Sequence, residues 1–124
     1  REGFRPFCPS VLEEDFDLYF EGKQKVAPYM TINYGAKKGV RDLLPGIVHV
    51  NDTARIQTVN EQQNPLYYQY LKHLKGLIGH GVSLNTSFNV NHQPIVENPV
   101  QAISTFYGCG LDALFIGNYL LKKQ

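Results

Sequence analysis

Asn64-Pro65-Leu66-Tyr67-Tyr68-Gln69-Tyr70-Leu71-Lys72-His73-Leu74-Lys75-Gly76-Leu77-Ile78-Gly79 runs, two residues on, into Val82-Ser83-Leu84-Asn85 and then the polar turn Thr86-Ser87-Phe88-Asn89. Asn64 is a preferred N-cap, and Pro65 has its φ preset and no N–H to leave orphaned at the first helical position. Leu66/Tyr67, Tyr70/Leu71, Leu74 and Leu77/Ile78 return every three or four residues until Gly79, so the spacing predicts a helix over 65–78. Residues 82–85 are β-prone and read as a short strand. A helix passed directly to an apolar strand is the building unit of α/β architecture, and the rest of the chain repeats it.

A second Asn-Pro start, Asn98-Pro99, opens another helix, with Val100, Ile103, Phe106 and Tyr107 on one face and Gly108 as its stop. Residues 113–116 form an apolar run of strand length, and the tail from Tyr119 reads as a strand or a helix end. Toward the N-terminus, 54–59 and 46–50 are β-rich runs separated by Asn51-Asp52-Thr53, a hairpin or a sharp bend. Residues 28–34 alternate like a strand and 35–45 read as a loop. Residues 13–20 predict a short amphipathic helix, stopped by Gly22. Pro6 and Pro9 hold the start extended. The expected fold is α/β, a mixed twisted β-sheet with packed helices, as a single domain over 1–124.

The composition, 43% hydrophobic and 19% charged over 124 residues, is that of a globular chain with one core. A net charge of +1 supplies no field that would draw in nucleic acid or an anionic membrane. Cys8 and Cys109 stand far apart without paired ligands, so they read as reduced thiols and suggest a cytoplasmic setting. No apolar run approaches the roughly 20 residues of a membrane span, and no metal motif is present. The start at Arg1 without an initiator Met reads as a fragment of a longer protein.

Several residues are candidates for chemistry. Asn85, Thr86, Ser87 and Asn89 surround a turn at a strand's carboxyl end, where open α/β sheets hold ligands; as plain turn formers they would satisfy only local backbone groups. Arg55 is a long cation inside a β-rich run, and Arg5 lies between Phe4 and Pro6. Each fits a phosphate or carboxylate, or else reaches water, with Arg55 and Gln57 on one wet strand face. His49 and His92 are lone histidines, more in keeping with packing or surface than with a ligand. Residue chemistry alone reaches an anion or nucleotide site and no further.

Arg5-Pro6-Phe7-Cys8-Pro9-Ser10-Val11-Leu12, His49-Val50, Thr53-Ala54-Arg55-Ile56-Gln57-Thr58-Val59, Leu84-Asn85-Thr86-Ser87-Phe88-Asn89, Pro94-Ile95-Val96 and Gly110-Leu111-Asp112-Ala113-Leu114 follow in the order found in the carbamoyltransferase C-terminal region. The chain resembles that family of nodulation-factor and antibiotic O-carbamoyltransferases along nearly its whole length. The resemblance implies the later part of a domain with the threonylcarbamoyl-adenylate-synthase (YrdC-like) fold. In such proteins this domain makes carbamoyl adenylate from ATP and carbamoyl phosphate, and an N-terminal domain that holds iron passes the carbamoyl group to a hydroxyl. Carried over by position, Arg5 and Arg55 match residues that grip carbamoyl phosphate or nucleotide phosphates. Ser87 and Asn89, with Asn85 and Thr86 beside them, match the element at the nucleotide and Mg2+. No protein metal ligand is implied within this chain. Two positions depart from the pattern: Asn51-Asp52 stands where the family often has Asp-Gly, and His92-Gln93 where it often has Gly-Glu. The implied partners are ATP, carbamoyl phosphate and the N-terminal domain, with a homodimer open and the isolated fragment inactive. The alternatives are a non-catalytic nucleotide- or RNA-binding module of the same fold, or a domain kept for contact with its neighbour.

Overall fold

The computed structural model describes residues 7–123, so Arg5 lies outside the described residues. Two compact units divide at Thr86 and Ser87.

In the first unit, β1 (Cys8–Leu12) is buried along its whole length and sits between two partners. It pairs in parallel with β5 (Gln57–Val59) and antiparallel with β6 (Val82–Asn85), which makes this small sheet mixed. Alternation along β1 sends Leu12 to one face, where it packs with Val59 and Leu71, and Val11 to the other. Helix α3 (Pro65–Ile78) covers the Leu12 face. Its ends are as the sequence predicts: Asn64 accepts from the Tyr67 N–H, and Gly79 closes it at φ 81°.

The Val11 face meets an aromatic core. A 3-10 turn (Glu13–Asp15) leads into α1 (Phe16–Tyr19), and the chain passes at once into β2 (Phe20–Glu21). The expected helix over 13–20 is therefore shorter, because buried Phe20 is taken up by a second sheet. That sheet has the order β2, β3 (Asn33–Ala36), β4 (Thr53–Arg55), all antiparallel. Phe16 stacks edge-on against Tyr34 at 5.0 Å, and Ala54 and Ile56 are fully buried in the same cluster.

Three expectations are corrected here. The strand over 28–34 starts only at Asn33, since Pro28 has no N–H and Met30 turns at φ 54°. The loop over 35–45 contains the end of β3 and a helical turn, α2 (Val40–Leu43). The run 46–50 is not a strand. Pro45–Ile47 form a 3-10 turn, and Ile47 and Val48 are apolar because they are buried, not because they pair. The sharp bend at 51–53 does form, closed by His49 N–H to Thr53 O (2.7 Å) and Asp52 N–H to His49 O (3.0 Å). The run 54–59 divides at Ile56, leaving one sheet as β4 and joining the other as β5.

The second unit contains α4 (Pro99–Gly108), capped by Asn98 accepting from the Gln101 N–H, and a hairpin of β7 (Ala113–Ile116) and β8 (Tyr119–Lys122). Ala102 and Phe106 are its buried helix residues, and Lys123 lies over the Phe106 ring at 5.1 Å. The chain is thus a mixed α/β protein built on small sheets. Among the described residues, no helix is long and apolar enough to cross a membrane.

Candidate functional site

Arg55 is the last residue of β4, where the chain changes sheets. Ala54 and Ile56 on either side are fully buried, so alternation forces Arg55 outward. Its Nε–H donates to Cys8 Sγ at 3.2 Å, and among the described residues its two terminal nitrogens have no hydrogen-bond partner. Cys8 is itself 8% exposed and is the register partner of Asn85 across β1 and β6.

Next along that face lies a closed polar network. Asn85 Nδ2 donates to Ser10 Oγ (2.5 Å) and to Gln57 Oε1 (3.0 Å), and Ser10 Oγ donates to the same Gln57 oxygen (2.7 Å). Gln57 Nε2 donates to the Pro28 carbonyl (3.1 Å), and the Tyr67 hydroxyl donates to Asn85 Oδ1 (3.1 Å). Three strands and the first turn of α3 are tied together here, so the backbone carrying Cys8 and Asn85 is held from several sides. Gln57 is half-buried in this network and not on the wet face expected of it.

Sequence reasoning placed Arg55 and Asn85 among the candidates, and Cys8 brings them together. Cys8, Ser10, Gln57 and Tyr67 join them from outside the candidates, Cys8 reading in the sequence only as a reduced thiol and Gln57 only as part of a wet strand face. The available signal was the period of two: Cys8 and Ser10 share a face, and a hydroxyl between buried Pro9 and Val11 needs a partner. Thr86 is exposed at the end of the unit.

Ser87 and Asn89 belong to the second unit. Asn89 Nδ2 donates to Gln93 O (2.8 Å) and Val90 O (3.3 Å), so its Oδ1 is left to accept from Ser87 Oγ at 2.7 Å. The Ser87 hydrogen is therefore directed inward, and the hydroxyl presents lone pairs outward. Val96 N–H to Phe88 O (2.9 Å) closes the loop, and His92 turns it at φ 66°.

His49 Nδ1 lies 3.2 Å from Thr53 Oγ1, whose hydrogen goes to Asn51 Oδ1 at 2.8 Å. Thr53 thus accepts from His49 Nδ1–H, and the ring is occupied in holding the 49–53 bend. A groove of about 420 Å³ elsewhere in the first unit is lined by Glu13, Glu14, Asp17 and Glu61 against Lys25 alone, a charge balance unsuited to phosphate. Among the described residues no three His, Cys, Asp or Glu side chains converge as metal ligands.

The sequence model of the family described as Carbamoyltransferase C-terminus matches residues 1–123, and the chain belongs to that family. An uncharacterized protein of Methanocaldococcus jannaschii, MJ1058, is 45% identical over all of this chain and 20% of its own length. Nodulation protein NolNO of Sinorhizobium fredii is 41% identical over all of this chain and 18% of its own. The 3'-hydroxymethylcephem-O-carbamoyltransferase of Amycolatopsis lactamdurans is 28% identical over 95% of this chain and 22% of its own. The chain spans about a fifth of the length of these relatives.

Proposed function

We propose that this chain supplies part of the phosphate-handling surface of an O-carbamoyltransferase that forms carbamoyl adenylate from Mg·ATP and carbamoyl phosphate. The observation that carries the reading is Arg55: an outward guanidinium, anchored at Nε and with both terminal nitrogens unpaired among the described residues, in a family whose relatives include a named O-carbamoyltransferase. A planar fork of N–H donors matches two oxygens on one phosphorus or carboxyl carbon.

The reaction balances with one water. Carbamoyl phosphate and water give carbamate and phosphate, a carbamate oxygen bonds the α-phosphorus of ATP, and pyrophosphate leaves. The adenylate carbonyl is then open to attack by an acceptor hydroxyl, with AMP as leaving group. In this scheme Arg55, joined by Arg5, holds anionic oxygens and stabilises charge moving onto the leaving phosphate. Asn85 braces the strand end from behind, next to Thr86. Ser87, positioned by Asn89, offers lone pairs, which suit a hard cation and not a phosphate oxygen. Mg2+, when bound with the nucleotide, would neutralise phosphate charge.

Titration of Mg·ATP into the full-length polypeptide and its Arg55→Ala variant tests this reading. At least a tenfold loss of affinity is expected on the order of one charge-assisted contact. Equal affinity would remove Arg55 from the site.

A further inference from the structure

We infer that Cys8 is a positioning residue for Arg55, fixing the guanidinium so that it meets its anion end-on through the two terminal nitrogens. The inference rests on the reading of Arg55 given above. A guanidinium can receive two oxygens either along its side, through Nε and one terminal nitrogen, or at its end, through both terminal nitrogens. Here the Nε–H is directed at Cys8 Sγ, 3.2 Å away, which removes the side-on arrangement.

Cys8 is suited to this because it cannot move far. It is 8% exposed on the middle strand, with Asn85 as its register partner, and the Phe7 N–H is bonded to Gly46 O at 3.2 Å. The neighbouring network of Ser10, Gln57 and Asn85 holds the adjoining strands in register. Sulfur is a weak acceptor, so it orients the guanidinium without drawing off its charge. An oxyanion arriving from solvent then meets two parallel N–H donors already turned outward, and less side-chain freedom is lost on binding.

A double-mutant cycle in the full-length polypeptide, read as the Kd for Mg·ATP, separates this from a merely structural role. Cys8→Ala and Cys8→Val both remove the acceptor, the second while keeping a filled, strand-compatible side chain. Both are expected to weaken binding roughly three- to tenfold. Cys8→Ser restores an acceptor and is expected to recover affinity to within about twofold of the parent, by the same hydrogen-bond argument. In the Arg55→Ala background none of the three should change Kd further. Weakening by the same factor in both backgrounds, or no weakening by Cys8→Ala and Cys8→Val while Arg55→Ala still weakens binding, overturns the inference and leaves the reading of Arg55 standing. No loss on Arg55→Ala overturns both.

Discussion

The Tyr67 hydroxyl donates to Asn85 Oδ1 at 3.1 Å, joining the first turn of the long helix to the carboxyl end of β6. Asn85 in turn serves Ser10 and Gln57, so a single side chain satisfies three others. Replacing it by Leu deletes all three of these bonds and strands the Tyr67 hydroxyl, while the Ser10–Gln57 bond persists. The expected cost is about 2–3 kcal/mol, against about 1 kcal/mol for Tyr67→Phe, which deletes one bond. Urea denaturation of the two variants checks the order; a Tyr67→Phe loss equal to that of Asn85→Leu would mean that the network is not shared.

Asp52 and His92 carry a β-carbon at turns with positive φ. Asp52 stands at φ 58° and His92 at φ 66°. A β-carbon is strained in this region, so His92→Gly is expected to raise stability by about 0.5–1 kcal/mol, seen as a higher Tm. Asp52→Gly should gain less, because Asp52 Oδ1 is held by Arg41 Nε (3.0 Å) and Nη2 (2.7 Å) and that grip would be lost.

Stability should fall at both ends of the pH range through the Glu14–Tyr68 bond of 2.8 Å. Partial burial pushes the Glu14 carboxyl up, but hydrogen bonds from its backbone, Tyr68 and Lys72, with the Lys72 charge, outweigh this and hold it below the usual carboxylate range. A carboxyl lowered on folding contributes stability above its unfolded value, and that stability is lost as pH falls through the folded one. Tyr68 is raised chiefly by its bond to Glu14, and Tyr19 by burial and then by the Asp15 charge. Their contributions are complete below the ordinary tyrosine value and disappear as pH rises through the folded one. Denaturation midpoints followed against pH should show a shallower acid limb in Tyr68→Phe than in the parent, because the folded Glu14 value moves back toward the unfolded one. Coincident acid limbs would contradict this.

Local chemistry was legible wherever one residue type forces one geometry. Asn64-Pro65 and Asn98-Pro99 mark both long helices, and Gly79 ends the first at the residue expected. The runs 28–34 and 46–50 are ambiguous in sequence because alternation and apolarity report burial as readily as pairing: Ile47 and Val48 are buried without a strand. The site was half legible. Arg55 stood out as a cation among β-prone residues, but its anchor is 47 positions away, and only the parallel register of β1 and β5 and the change of sheet at Ile56 bring Cys8 beneath it. A pairing made by tertiary topology leaves no local trace.

Whether Arg55 handles phosphate charge in carbamoyl adenylate formation is decided by the release of pyrophosphate from Mg·ATP by the full-length polypeptide, with and without carbamoyl phosphate. Release is expected to require carbamoyl phosphate and to fall on the order of a hundredfold in Arg55→Ala, the scale of losing one stabilising donor, with Arg55→Lys recovering only part because a point charge lacks the fork. Release that proceeds without carbamoyl phosphate, or at the parent rate in Arg55→Ala, would contradict it.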